Sequence, residues 1–146
     1  MSVNKLLKLP SRVTGAREAL GISQKALASS LGVHPTHLCG IEKGRRRISH
    51  PDFLEQLAHA LKLSAGDLSE LRWALVHDQV IEQAKASGFM DVALQCLSTV
   101  LQLEHELSEN EFDGLRLELE EALRSKRTLR PYAARASRHE EGRAMT

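Results

Sequence analysis

The chain has 146 residues, of which 42% are hydrophobic, 27% charged and 3% aromatic, and its formal net charge is +1. That length suits one domain or a small domain with an appendage, and a core drawn from Leu, Val, Ile and Ala favours helices. One Trp, one Tyr and three Phe are too few for the aromatic platforms that hold single-stranded nucleic acids. The opening MSVNKLLKLP has too short an apolar stretch for a signal peptide, and no run of about 18 apolar residues is present to span a membrane. Two cysteines, Cys39 and Cys96, make no disulfide framework, so a reducing cytoplasm is the expected location.

The small net charge conceals a division. Residues 1–62 hold ten Lys/Arg against four Asp/Glu, a net of +6. Residues 63–125 hold four against thirteen, a net of −9, and residues 126–146 hold six against two, a net of +4. A polyanion would meet the first third of the chain and be repelled by the middle.

In chain order, Ser11 is placed to cap a helix over residues 12–20, with Val13, Ala16, Ala19 and Leu20 on one face and Gly21 as its stop. Ser23 caps a second over 24–31, with Ala26, Leu27 and Leu31 inward and Gly32 at its end. Pro35 opens a third to Lys43, closed by Gly44. A loop with Arg45, Arg46 and Arg47 comes next. Asp52 begins a fourth helix to Leu61, whose apolar face is Phe53, Leu54, Leu57, Ala58 and Leu61. Ser64 begins a fifth, whose stripe of Leu68, Leu71, Leu75 and Val76 continues through Val80, Ile81 and Ala84 to Ser87–Gly88. Trp73 reads as a core residue between this helix and the next segment of the chain.

Residues 90–107 are apolar over a wide arc, too broad for a helix lying on one small core. Ser108 and Glu111 have the spacing of a capping box and open a last helix to Arg124, faced by Phe112, Leu115, Leu119, Ala122 and Leu123. Residues 115–119 also alternate with a period of two, as a strand would, but the capping and the Glu-rich composition favour helix. Residues 126–146 lack periodicity and read as a disordered basic tail.

Residues 24–42 carry the functional signal. Two short helices are joined by a tight turn containing Gly32. Small Ala28 permits a close crossing, Val33 plugs the corner, and Leu38 and Ile41 anchor the second helix while its other side stays free. That is the helix-turn-helix arrangement, whose second helix enters the major groove. The segments Ser23-Gln-Lys-Ala-Leu-Ala28, Leu31-Gly-Val33 and Ile41-Glu-Lys-Gly44 resemble the hallmark segments of Cro/repressor-type (XRE-family) DNA-binding domains, as in lambdoid phage repressors. The resemblance covers residues 11–76; nothing in 77–146 matches a nameable family. It implies a five-helix lambda-repressor-like domain over 1–76; the helical patterns beyond it make the chain all-α, with a helical dimerisation or partner segment over 77–125 and the tail over 126–146.

The resemblance also implies roles. Gln24 takes the place of a Gln that meets phosphate, with Ser23 and Lys25 beside it. Arg17 and Glu42 stand where some repressors join the first helix to the recognition helix by an ion pair that holds the arginine beside the DNA backbone. The recognition helix presents His34, Pro35, Thr36, His37 and Gly40 to the bases. Pro35 cannot donate a hydrogen bond and Gly40 has no side chain, so reading leans on Thr36, His37, contact of Pro35 with a thymine methyl, and DNA shape. Lys43, Arg45, Arg46 and Arg47 adjoin that helix and are placed for phosphates. Arg46 or Arg47 is also long enough to reach a narrow minor groove.

Other chemistry is thin. His34, His37 and Cys39 invite a zinc reading, but helical spacing rotates Cys39 away and no CxxC or HExxH frame is present. No metal and no cofactor is therefore expected. Cys39 reads as a packing residue, with an accessible redox thiol as the rival. No nucleophile elbow, phosphate-cradling Gly loop or paired carboxylates argue for an enzyme.

The expected protein is thus a cytoplasmic, sequence-specific regulator of transcription: a repressor that binds a palindromic double-stranded operator as a homodimer. The dimer is expected through Leu94, Leu97, Leu101, Phe112, Leu115 and Leu119. The alternative is an antitoxin or adaptor whose acidic helices bind a protein partner, with DNA binding serving autoregulation. A third reading places a small effector among the Leu-rich helices.

Overall fold

The computed structural model describes residues 3–125, so the tail expected over 126–146 lies outside the described residues. Those described are all helical: a 3-10 turn at Val3–Lys5, then α1 (Leu9–Ala19), α2 (Gln24–Ser30), α3 (Pro35–Glu42), α4 (Pro51–Ala60), α5 (Ala65–Ala86), α6 (Asp91–Glu106) and α7 (Glu109–Arg124). They fall into two compact units, one up to Leu101 and one from Gln102 onward. The boundary expected at residue 76 falls inside α5. Among these helices, none is long and apolar enough to cross a membrane.

In the first unit, local chemistry sets most of the helix ends. Ser23 accepts the Ala26 N–H at 3.1 Å and starts α2. Ser64 caps α5 through a reciprocal box with Asp67. The turn between α2 and α3 needs the left-handed backbone of Gly32 (φ +66°), where a side chain would be strained. Val13, Leu27, Ala28, Leu38, Ile41 and Leu57 are almost wholly buried and form the centre on which α1–α5 pack. Burial of such a Leu or Ile side chain contributes roughly 1.5–3 kcal/mol. Val33 is half-buried at the corner, and its N–H donates to the Ala28 carbonyl at 3.0 Å.

The start of α1 differs from expectation. The helix begins at Leu9, and Ser11 is an internal residue whose hydroxyl donates to the Lys8 carbonyl. The cap comes from far along the chain: Asp78 of α5 accepts the Lys8 and Leu9 N–H groups at 2.7 and 2.9 Å. A carboxylate there satisfies orphan amides and sits well on the positive end of the helix dipole. Nδ1 of buried His77 donates to Asp78 Oδ1 at 2.8 Å, and His77 Nε2 meets Ser98 Oγ of α6 at 2.9 Å. Ser98 and Leu94 are the buried residues of α6. Leu94, expected at a dimer interface, is only 1% exposed, because the wide apolar arc of α6 turns that side into its own unit.

Trp73 is half-buried, with the Arg12 guanidinium 5.4 Å from its ring centroid and the His77 ring at 5.3 Å. In α4, Pro51 rather than Asp52 is the first residue, where a proline lacks nothing the helix needs.

In the second unit, Glu111 accepts the Ser108 N–H at 2.9 Å and its hydroxyl at 2.6 Å, which fixes the start of α7. Residues 115–119 are helical, so their two-residue alternation belongs to a helix and not to a strand. No residue of α7 is buried.

Candidate nucleic-acid interface

α3 lies across α2 and α1 with Leu38 and Ile41 inward, so its first turn projects. His34 and Thr36 are exposed, while Pro35 and His37 are half-buried. His34 is itself the N-cap: its Nδ1 accepts the Thr36 N–H at 3.3 Å and lies 2.8 Å from Thr36 Oγ1. A nitrogen that accepts the amide also accepts the hydroxyl proton, which leaves the His34 N–H on Nε2 and pointing away from its own helix end.

Gly40 is the one base-facing candidate placed otherwise than expected, because it is buried. Its carbonyl accepts the Arg45 and Arg46 N–H groups at 2.8 and 3.0 Å, which folds the loop back onto α3. The Arg46 side chain then covers it: a Cβ built on Gly40 would meet Arg46 Cγ at 3.0 Å and its Cβ and Cδ at 3.2 Å. Arg46 Nη1 donates to His37 Nδ1 at 2.8 Å. The His37 ring leans on Phe53 of α4, with centroids 5.9 Å apart.

The other candidates differ in how firmly they are held. Arg17 is 13% exposed and bonds Glu42 twice, from Nε at 2.6 Å and from Nη2 at 3.2 Å, while Nη1 donates to the Ile22 carbonyl at 2.9 Å. Its hydrogen bonds to Glu42 hold the guanidinium pKa above its ordinary value, so the charge is permanent. Gln24 Nε2 also donates to Glu42, at 2.6 Å. One of its two amide N–H groups is therefore committed to a carboxylate. The Ser23 oxygen is occupied by the α2 cap. Lys25, Lys43, Arg45 and Arg46 are exposed around the projecting turn. Arg47 is exposed but tied to Glu82 of α5 at 2.7 Å, which fastens the loop to the scaffold. Cys39 is half-buried and unoxidised in α3.

Sequence reasoning does not single out Phe53, Glu82 or Asp78 as parts of this site, although each fixes one of its pieces. Phe53 is visible there only as a core residue of α4. The two acids carry no local signal, since their partners lie 35 to 70 positions away. A cavity of about 240 Å³ behind the arginine loop is lined by Leu7, Ile41, Ile48 and Leu75, with Glu82 and Arg47 on its polar side. This cavity is distinct from the Leu-rich stretch where the sequence suggests an effector.

The arrangement presents one short helix end, rich in hydrogen-bonding side chains and ringed by cations, on a rigid base. Residues 16–68 match the profile of the helix-turn-helix family. The match ends within α5, and residues 69–125 lie beyond it. No curated protein matches the chain. Among solved structures it is similar to the restriction-modification controller protein C.AhdI from Aeromonas hydrophila, with 33% identity over 44% of this chain and 96% of that one, at a TM-score of 0.40. The profile match spans the α2–α3 turn, and residues 16–68 thus form a helix-turn-helix domain of the Cro/repressor (XRE) type.

Proposed function

We propose that the chain is a repressor that binds a palindromic operator in double-stranded DNA as a homodimer. The observation that carries this is the projecting first turn of α3: exposed His34 and Thr36 beside His37, with Lys25, Lys43, Arg45 and Arg46 around them. A single short helix reads few base pairs, and two-fold pairing sets a second one roughly 34 Å away on the same face of the duplex. The net −9 of residues 63–125 is repelled by phosphate and turns the basic face to the DNA. Dimer contacts are assigned to Phe112, Leu115 and Leu119 on α7, with Leu97 and Leu101 of α6 as further candidates; Leu94 drops out because it is buried in its own protomer.

Selection of sites from random duplex DNA by the full chain tests the reading. It should return an inverted repeat, and log K against log salt should fall with a slope of about −8 to −10, as about four to six phosphate contacts per protomer require. A slope near about −2, or a selected site without two-fold symmetry, overturns it. One observation favours a second reading. α7 is acidic and buries none of its residues, and Leu119 and Leu123 are 53% and 66% exposed. A partner protein is then the occupant of α7, as in an antitoxin or adaptor. Sedimentation separates the two: the chain alone sediments as a dimer in the first reading and as a monomer in the second.

A further inference from the structure

The sequence places Arg46 among the phosphate contacts, and the structure holds its side chain against α3. The two amides donated to the Gly40 carbonyl bring the loop against α3, and the missing Cβ of Gly40 leaves a seat along which the Arg46 stem lies. The guanidinium thereby reaches back one helical turn to His37 at 2.8 Å, and His37 is itself backed by Phe53. Arginine only donates, so His37 Nδ1 is the acceptor and its ring N–H sits on Nε2. With Nη1 bonded to His37, the Nε–Nη2 edge of the guanidinium remains as a flat pair of donors beside the first turn of α3.

We propose that Arg46, seated over Gly40 and steadied by His37, is a base-reading residue that selects guanine at one position of the recognised sequence. Guanine is the base that offers two adjacent acceptors, N7 and O6, in the major groove. Adenine sets a donor beside its N7 and meets one of the two guanidinium N–H groups with a like group. His37 acts here as a positioning residue, and Gly40 contributes by having no side chain. This corrects the assignment of Gly40 from a base contact to the floor on which one rests. The inference rests on the chain being a sequence-specific DNA binder.

The test uses the full chain and its variants R46K and G40L, each put through site selection from random duplex DNA. Affinities are then measured on the selected site, on its guanine-to-adenine derivative and on random duplex. The wild type should prefer guanine at one position by about tenfold or more, as a bidentate arginine–guanine pair does. R46K keeps the charge and loses the planar fork, so that preference should collapse while the other positions and the random-duplex affinity hold. G40L puts a side chain where the stem lies and should abolish the same preference, with thermal unfolding recorded to show that the fold survives. If R46K lowers all three affinities alike and leaves every base preference intact, Arg46 is a phosphate contact and the proposal is wrong. Should G40L retain the full guanine preference while folded, the seat is not what directs Arg46. A wild-type chain that selects no sequence at all overturns the operator reading itself, a failure distinct from the other two.

Discussion

Glu42 is the residue on which the orientation of the recognition helix turns. It sits at the end of α3, its side chain is 4% exposed, and it accepts from Arg17 of α1 and from Gln24 of α2. A carboxylate so placed is needed less for attraction than to answer donors that would otherwise be buried without a partner. Glu42→Ala should therefore cost about 3 kcal/mol in chemical denaturation, because it leaves the Arg17 charge uncompensated. Replacing both Arg17 and Glu42 by apolar residues should restore much of the loss; a double variant whose loss is the sum of the two single losses would show that the pair is not coupled. The partnership of Arg17 and Glu42 is legible from family resemblance, and the third member is not. The resemblance gives Gln24 a phosphate contact, and its bond to Glu42 shows only once α3 folds beside it. Gly40 misleads for the same kind of reason. In a helix-wheel view it faces outward, and only the returning loop covers it.

Single helices show where local chemistry suffices. The starts of α2, α5 and α7 are set by Ser23, Ser64 and Ser108 with their near neighbours, all within three positions in sequence. The stops at Gly21, Gly32, Gly44 and Gly88 fall where positive φ is required, but Lys62 adopts the same backbone (φ +52°) with no glycine to announce it. The start of α1 is misplaced by sequence because its cap lies 69 and 70 positions away. For α7 the capping carboxylate also predicts a pH dependence. The Ser108 hydroxyl, and then its backbone N–H, hold the Glu111 carboxyl below its ordinary pKa. The ionised form is thus favoured in the helix, and its contribution is complete above the unfolded-state pKa of about 4.3 and fades as pH drops through the lower folded value. Backbone chemical shifts of residues 108–112 should hold steady from neutral pH to about pH 5 and move only in more acid solution. Glu111→Gln should remove that acid step, and a step that persists unchanged would assign it to another group.

For the molecule as a whole, the basic first 62 residues carry the projecting helix, and the acidic stretch over 63–125 ends in α7, a helix with an apolar side and no buried residue. Leu115→Asp should leave the first unit folded, since α7 contributes no buried residue, yet shift the chain to monomer and weaken palindrome binding to the level of a single half-site. Full-affinity binding by a dimeric Leu115→Asp chain would move the interface elsewhere. The extent of the first unit is only partly legible in sequence. The stripe of α5 and the place of Trp73 show the helix running on past the profile match at residue 68, but nothing there marks an end at Leu101.

The relay from Ser98 through His77 to Asp78 sets a lower limit on any excised DNA-binding fragment. A piece cut at residue 76, where the family likeness fades, would lose the carboxylate that closes the first helix and strip two amides of their acceptor. Such a piece should be less stable by about 3 kcal/mol or more than one cut after Leu101. It would fray first at α1, the helix from which Arg17 braces the recognition segment.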